Sequence, residues 1–263
     1  MAKGVAVKLK SYEETIPKVL KLIKFDEELK KHNKIIIKPQ AIPNSPQSST
    51  KPEFLEPIVQ FCIANKNPGS EIIIAEGADG AETHEVFDNL VYTKLAEKYN
   101  IGLIDLNEAA SVEIQNPEFL RFKSIHFPEV LLNSFVITAT PLIQHSELGM
   151  SSSLDSMRGA FPAYKYRGFF SSTKNKLEKH PLKYQIHDIL KCKMPELAII
   201  DASEKGLLIV GKPLDMDKQA AKVLGLDWRQ VPHLKLIDES FSPSKKEESV
   251  DHLIGATPEN KGK

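Results

Sequence analysis

Cysteine is nearly missing from this chain. Cys62 and Cys192 are the only two, far apart, and no C-x-x-C pair exists. A disulfide framework, a cysteine zinc site and an iron–sulfur cluster held by the chain's own cysteines are therefore not expected. Cys62 falls on the apolar stripe of a helical pattern and reads as a small core residue. An excess of one charge is missing too, since 35 basic residues balance 35 acidic ones. That argues against general nucleic-acid binding, which needs surplus Lys and Arg to displace phosphate counterions. No run of about 18 apolar residues occurs, and the opening MAKGVAVKLK lacks the apolar stretch of a signal peptide. No membrane partner is expected, and the cytoplasm is the expected location. Two nucleotide and hydrolase signatures are also missing. The turn after Glu76 reads Gly77-Ala78-Asp79-Gly80, without G-x-G-x-x-G spacing, and Ser153 stands where a G-x-S-x-G elbow needs glycine.

What is present is an ordinary globular balance, 41% apolar and 27% charged, which can supply a full core. The pattern alternates strand and helix. Gly4–Leu9 alternates like a strand near a sheet edge, and Ser11 with Glu14 has the form of a capping box. Lys34–Lys38 (KIIIK) and Glu71–Ala75 (EIIIA) are short β-branched strands, and further strands are expected at 101–106, 133–138 and 197–201. Helices are expected from Pro52, over Thr83–Tyr99, around Tyr184–Lys191, and from about Asp215 to a cap at Gly225. Ser111–Ile114 and Phe119–His126 look like a small antiparallel addition, and Leu207–Val210 like one more strand. The expected fold is α/β, a mostly parallel central sheet with helices on both faces and a small insertion or second lobe. One such domain should span 1–241, with an irregular insertion at about 145–182 and a mobile polar tail over 242–263.

In such sheets ligands bind where strand carboxyl ends meet loops. Three loops then share one edge. The first, after KIIIK, offers Lys38 and, ahead of the next helix, Thr50. The second places Glu76 at a strand end, as a candidate for a metal or a hydroxyl. The third is Pro141–Pro162, which holds His145, Ser151–Ser153, Asp155 and Arg158 between glycines. His145 is a candidate general base or metal ligand. The serine hydroxyls and N–H groups can cradle an anion, and Arg158 can grip a carboxylate or phosphate. Lys179, His180 and Asp201 approach the same edge. The candidate catalytic residues are thus His145 and Lys38; the ligand-binding candidates are Thr50, Ser151, Ser152, Arg158 and Lys179; and the metal candidates are Glu76, His145, His180 and Asp201. His84, His126, His187 and His233 have no such placement and read as structural or solvent-facing.

Taken in order, Lys38-Pro39-Gln40, Thr50-Lys51-Pro52-Glu53, Ala75-Glu76-Gly77, Gln144-His145, Ser151–Gly159, Lys179-His180, Asp201-Ala202, Gly211-Lys212-Pro213 and Asp217 with Val223-Leu224-Gly225 form a series. Over roughly residues 5 to 235 this series resembles the domain-of-unknown-function 362 family of bacterial and archaeal proteins. Gln144 stands where that family usually has lysine or threonine, Asp155-Ser156 replaces Lys-Asn, and the family's frequent ferredoxin-like cysteine module is absent. The family is in turn remotely similar to the N-terminal region of nickel-pincer lactate racemases, where histidines and a lysine serve the cofactor. The resemblance implies a small-molecule or metal-cofactor site. The expected function is therefore binding of a small anionic ligand or a metal cofactor, such as a divalent metal, by an enzyme of unassigned reaction. The alternative is a noncatalytic binding or scaffold protein whose partner is an iron–sulfur redox protein.

Overall fold

The computed structural model describes residues 4–241. The strands are β1 (Val5–Lys8), β2 (Lys34–Pro39), β3 (Glu71–Glu76), β4 (Gly102–Asp105), β5 (Ser111–Ile114), β6 (Ile125–Pro128), β7 (Phe135–Pro141), β8 (Ile143–His145), β9 (Gly149–Ser151), β10 (Leu197–Ala202) and β11 (Leu207–Gly211). Seven form one sheet in the order β1-β11-β10-β7-β2-β3-β4. From β10 through β7, β2 and β3 to β4 every pairing is parallel, and only the contacts of β11 with β10 and β1 are antiparallel. The fold is α/β, as the alternation implied, and β1 does lie at the sheet edge.

Period-two alternation divides the sheet's side chains between two core layers. Ile35, Ile37, Ile72, Ile74, Ile137 and Ile199 face the helices of the first half, Tyr12–Leu22, Pro52–Asn65 and the pair at 83–99. Ile36, Ile73, Ala75, Val136, Ala198 and Ile200 face Leu182–Cys192, Pro213–Val223 and Pro232–Phe241. Ser11 caps its helix as expected, its Oγ accepting from Glu14 N at 3.2 Å. Cys62 is fully buried in the first layer.

Some expectations are corrected. The helix expected over Thr83–Tyr99 is two, Thr83–Asn89 and Tyr92–Tyr99, because Val91 takes a left-handed φ of 65° that no helix continues through. The strand expected at Phe119–His126 is the shorter Ile125–Pro128, which pairs with β5 as an antiparallel hairpin. The segment around 145–182 opens with the β8–β9 hairpin and continues in short helical turns. The tail expected at 242–263 lies outside the described residues. Among the described residues no helix is long and apolar enough to cross a membrane.

Candidate functional site

Strand order creates a crevice. From β2 the chain builds outward through β3 and β4 on one side, while β7 and β10 lie on the other. The switch therefore falls between β2 and β7, where the loops diverge and leave a cleft at the carboxyl edge. A cavity of about 170 Å³ opens there. Its walls come from the loops after β2 (Gln40–Ile42), β3 (Glu76, Gly77, Asp79) and β7 (His145, Ser151, Asp155, Ser156, Arg158, Gly159), closed by Lys174.

Beneath it lies a buried ion pair. Lys38 is the last residue but one of β2, on the same face as Ile36, and is fully buried; its Nζ donates to Glu76 Oε2 at 2.7 Å and to Ser156 O at 2.6 Å. Glu76 Oε1 accepts from Gly77 N at 2.8 Å. The pair is roofed by glycine. A Cβ on Gly159 would stand 1.8 Å from Glu76 Oε1 and 2.9 Å from Lys38 Nζ, so a side chain there would displace the carboxylate. Gly77 is equally tight, its Cβ position falling 2.5 Å from Gly159 O.

Lys174 is the group that sequence reading missed. It is 4% exposed, and its Nζ donates to Gly77 O at 2.9 Å and Gly159 O at 3.3 Å, held by backbone carbonyls rather than by a carboxylate. Its backbone N–H donates to Asp79 Oδ1 at 2.7 Å, anchoring the segment to the β3 loop. Burial lowers its ammonium pKa to about 8, against the raising influence of Glu76 and Asp79. Arg158 lines the same cavity, its Nε donating to Gln185 Oε1 at 3.1 Å, and burial lowers its pKa as well.

The serine run does not offer an open cradle. Ser151 Oγ donates to Asp155 Oδ2 at 2.6 Å and Ser152 N to Asp155 Oδ1 at 2.6 Å. Ser153 N and Leu154 N donate to Asp217 at 3.2 and 2.9 Å. The N–H groups expected to meet a ligand anion therefore meet the chain's own carboxylates. Ser151 still lines the cavity, while Ser152 is fully buried. Thr50 is a pin, donating to Ala139 O at 2.6 Å and accepting from Gln40 N at 2.9 Å, both buried.

The structure thus brings Glu76, His145, Ser151 and Arg158 to one cavity above Lys38, and leaves others apart. Asp201 shares the edge but points to the opposite face with Ile199, where its carboxylate accepts from Tyr12 Oη at 2.8 Å and Ser203 N at 2.9 Å. Lys179 is exposed. His180 packs against Phe122, ring centroids 4.4 Å apart, and lines a neighbouring cavity that shares Arg158 and Lys174 with the first.

The donor set does not fit a metal or a nickel cofactor. Glu76, His145, His180 and Asp201 form no cluster. His145 Nδ1 accepts from Glu147 N and Leu148 N, each at 3.2 Å, so the neutral ring carries its proton on Nε2 and presents a donor rather than a lone pair. Among the described residues one group of three, His84, Asp105 and Glu108, brings ligand atoms within 4.8 Å of one another, with two of its members exposed. It lies outside this cavity and no metal centre is inferred from it.

Fold and site together define an α/β protein with a polar cavity at the topological switch of its sheet. The chain belongs to the family of the domain of unknown function DUF362, whose model matches residues 35–217. Among solved structures it is similar to the lactate racemase apoprotein from Thermoanaerobacterium thermosaccharolyticum, with a TM-score of 0.56 and 12% identity. That match covers 85% of this chain but only 57% of the racemase chain, and it shows a shared fold. No curated protein matches in sequence.

Proposed function

We propose that this protein binds a small organic anion in the cavity above the Lys38–Glu76 pair and is an enzyme that moves a proton on it. The observation that carries this reading is Lys174, a buried ammonium between Gly77 O and Gly159 O, sharing the cavity with Arg158. A guanidinium grips a carboxylate bidentately, and an ammonium with a pKa of about 8 can give up and retake a proton near neutral pH. His145 Nε2–H supplies a further donor to a hydroxyl or carbonyl oxygen. Glu76 is held by Lys38 and Gly77, which fixes its negative charge in place beneath the ligand. Small hydroxy- and keto-carboxylic acids suit this size and polarity, and the fold neighbour's name makes lactate the first anion to try.

The test is a panel of such acids, with inorganic phosphate, scored by thermal shift and by exchange of the carbon-bound proton in deuterated water followed by NMR. Binding is expected to weaken as pH rises through about 8, because Lys174 then loses its charge. Lys174→Met should abolish exchange and Arg158→Met should weaken binding at least about tenfold, the loss of one charged hydrogen-bonded contact. Carboxylate binding unchanged in both variants would refute the reading.

A further inference from the structure

Phe169 and Phe170 are 94% and 96% exposed, whereas the next most exposed large apolar residue among those described, Leu22, is at 63%. Their rings meet edge-on with centroids 4.8 Å apart. The loop that carries them is tied at both ends. Gly168 N donates to Asn175 Oδ1 at 2.8 Å, and Lys174 is anchored through its backbone to Asp79 and through its ammonium to the cavity wall. Two adjacent aromatic side chains are thus held out in water on a braced tip, a cost in apolar exposure that a fold normally avoids by packing them.

The segment itself is rich in positive charge, while neighbouring loops bring Asp79, Glu82 and Glu108 alongside Arg167 and Ser172. Lys165, Arg167, Lys176 and Lys179 are all exposed, and over 164–180 only Glu178 opposes them, in a chain whose total charge is zero. Arg167 also reaches Glu82 at 3.5 Å, on a neighbouring loop. Lys176 Nζ donates to Lys165 O at 3.2 Å, which draws the Lys176 ammonium back to the start of the segment.

We propose that this loop is a wedge that docks the protein on an anionic lipid surface, Phe169 and Phe170 entering the interface while Lys165, Arg167, Lys176 and Lys179 face the headgroups. Aromatic side chains are favoured at the lipid–water boundary, and basic residues near it are drawn to anionic lipid. A bilayer also accepts two protruding rings without a preformed pocket, which an acidic protein partner would have to supply. A two-residue wedge leaves no long apolar run, which is why the sequence suggested no membrane contact.

The test is co-sedimentation of the full chain with vesicles of phosphatidylcholine alone and of phosphatidylcholine with phosphatidylglycerol, at low and high salt. Binding is expected to the anionic vesicles only, to fall with salt, and to drop roughly tenfold or more in Phe169→Ser/Phe170→Ser, equivalent to about 1.4 kcal/mol. Thermal melting of that variant should be unchanged, since neither ring packs in the core. In Phe170→Trp, tryptophan emission should shift to the blue and be quenched by brominated lipid, above the background of Trp228 in the parent. Undiminished binding of the double variant would mean adsorption by charge alone and would overturn the wedge. Equal binding to neutral vesicles, or no binding to either, would overturn it as well, and in the latter case an acidic protein surface becomes the occupant to test.

Discussion

Glu76 and Asp217 are both buried carboxylates, and both hold the segment 151–159 in place, yet their charges are met in opposite ways. Glu76 has an ammonium 2.7 Å away, and that same ammonium fastens the segment through Ser156 O. Asp217 is fully buried and faces the start of the segment, taking Ser153 N and Leu154 N without a cation. Burial is the larger influence on Asp217 and raises its pKa to about 8, while the two backbone donors pull the other way. At Glu76 the Lys38 ammonium supplies a counter-charge, whereas at Asp217 no cation does and burial makes the carboxyl a proton store. The first arrangement suits a site that must present charge to a ligand. The second suits a structural clasp.

The largest effect should come from taking the cation away. Lys38→Met leaves Glu76 buried with only Gly77 N as donor, and removing one partner of a buried pair costs on the order of 3–5 kcal/mol. Urea unfolding measures it. Lys38→Met/Glu76→Leu should be more stable than the single variant, because the double change removes the stranded charge. If the single change costs less than about 1 kcal/mol, the pair is not the fixed charge described, and the contrast with Asp217 collapses.

Next comes Gly159→Ala. The added methyl meets Glu76 Oε1 at 1.8 Å, so the carboxylate or the turn must move. Overpacking of this kind costs about 1–3 kcal/mol. Ligand binding should fail along with stability, because the displaced turn carries Gly159 O, one of the two carbonyls that hold Lys174. Gly168→Ala is the control, since its added Cβ would meet only the Asn175 side-chain amide, at 3.0 Å, and it should leave binding unchanged.

Much of this was legible in the sequence, for identifiable reasons. KIIIK and EIIIA are β-branched runs that only a buried strand accommodates, and their last residues are Lys38 and Glu76 or its neighbour, so two members of the ion pair could be placed at one edge. Asp201 was placed at that edge too, but edge is not face. Counting by twos from Ile199 puts Asp201 under the first-half helices, whereas counting from Ile36 puts Lys38 opposite. Asp217 belongs to the family-like series but has no role assigned from sequence. Its signal was available, because it shares the buried helical stripe of Met216, Ala220 and Ala221, where a carboxylate needs a partner. Lys174 had no such signal. It sits in a polar stretch, Ser171-Ser172-Thr173-Lys174-Asn175-Lys176, in which a lysine reads as solvated, and only the tertiary fold carries it under Gly77 and Gly159.

The smallest effect is the most discriminating test of the comparison, because it sets burial against backbone donors at Asp217. A carboxyl whose folded pKa is raised from 3.8 to about 8 keeps a proton in the folded state that the unfolded chain has already released. Its contribution to stability is full below about pH 4 and is lost as pH rises toward 8, with a slope of at most about 1.4 kcal/mol per pH unit. His233 acts with the opposite sign. It is fully buried, neither ring nitrogen has a partner among the described residues, and burial lowers its pKa from 6.5 to about 4. The unfolded chain binds the proton that folded His233 refuses, so this group adds stability as pH rises from about 4 to 6.5. The two slopes oppose each other up to about pH 6.5, and above it only that of Asp217 remains. Denaturant unfolding of the parent should therefore show stability falling from pH 6.5 to 8, and Asp217→Asn, which keeps one acceptor for Leu154 N but cannot ionise, should flatten that decline. His233→Met should extend the decline down to about pH 4 by removing the opposing group. If Asp217→Asn follows the parent's curve at every pH, the N–H groups of Ser153 and Leu154 have kept the carboxylate ionised, and a turn of backbone does for Asp217 what Lys38 does for Glu76.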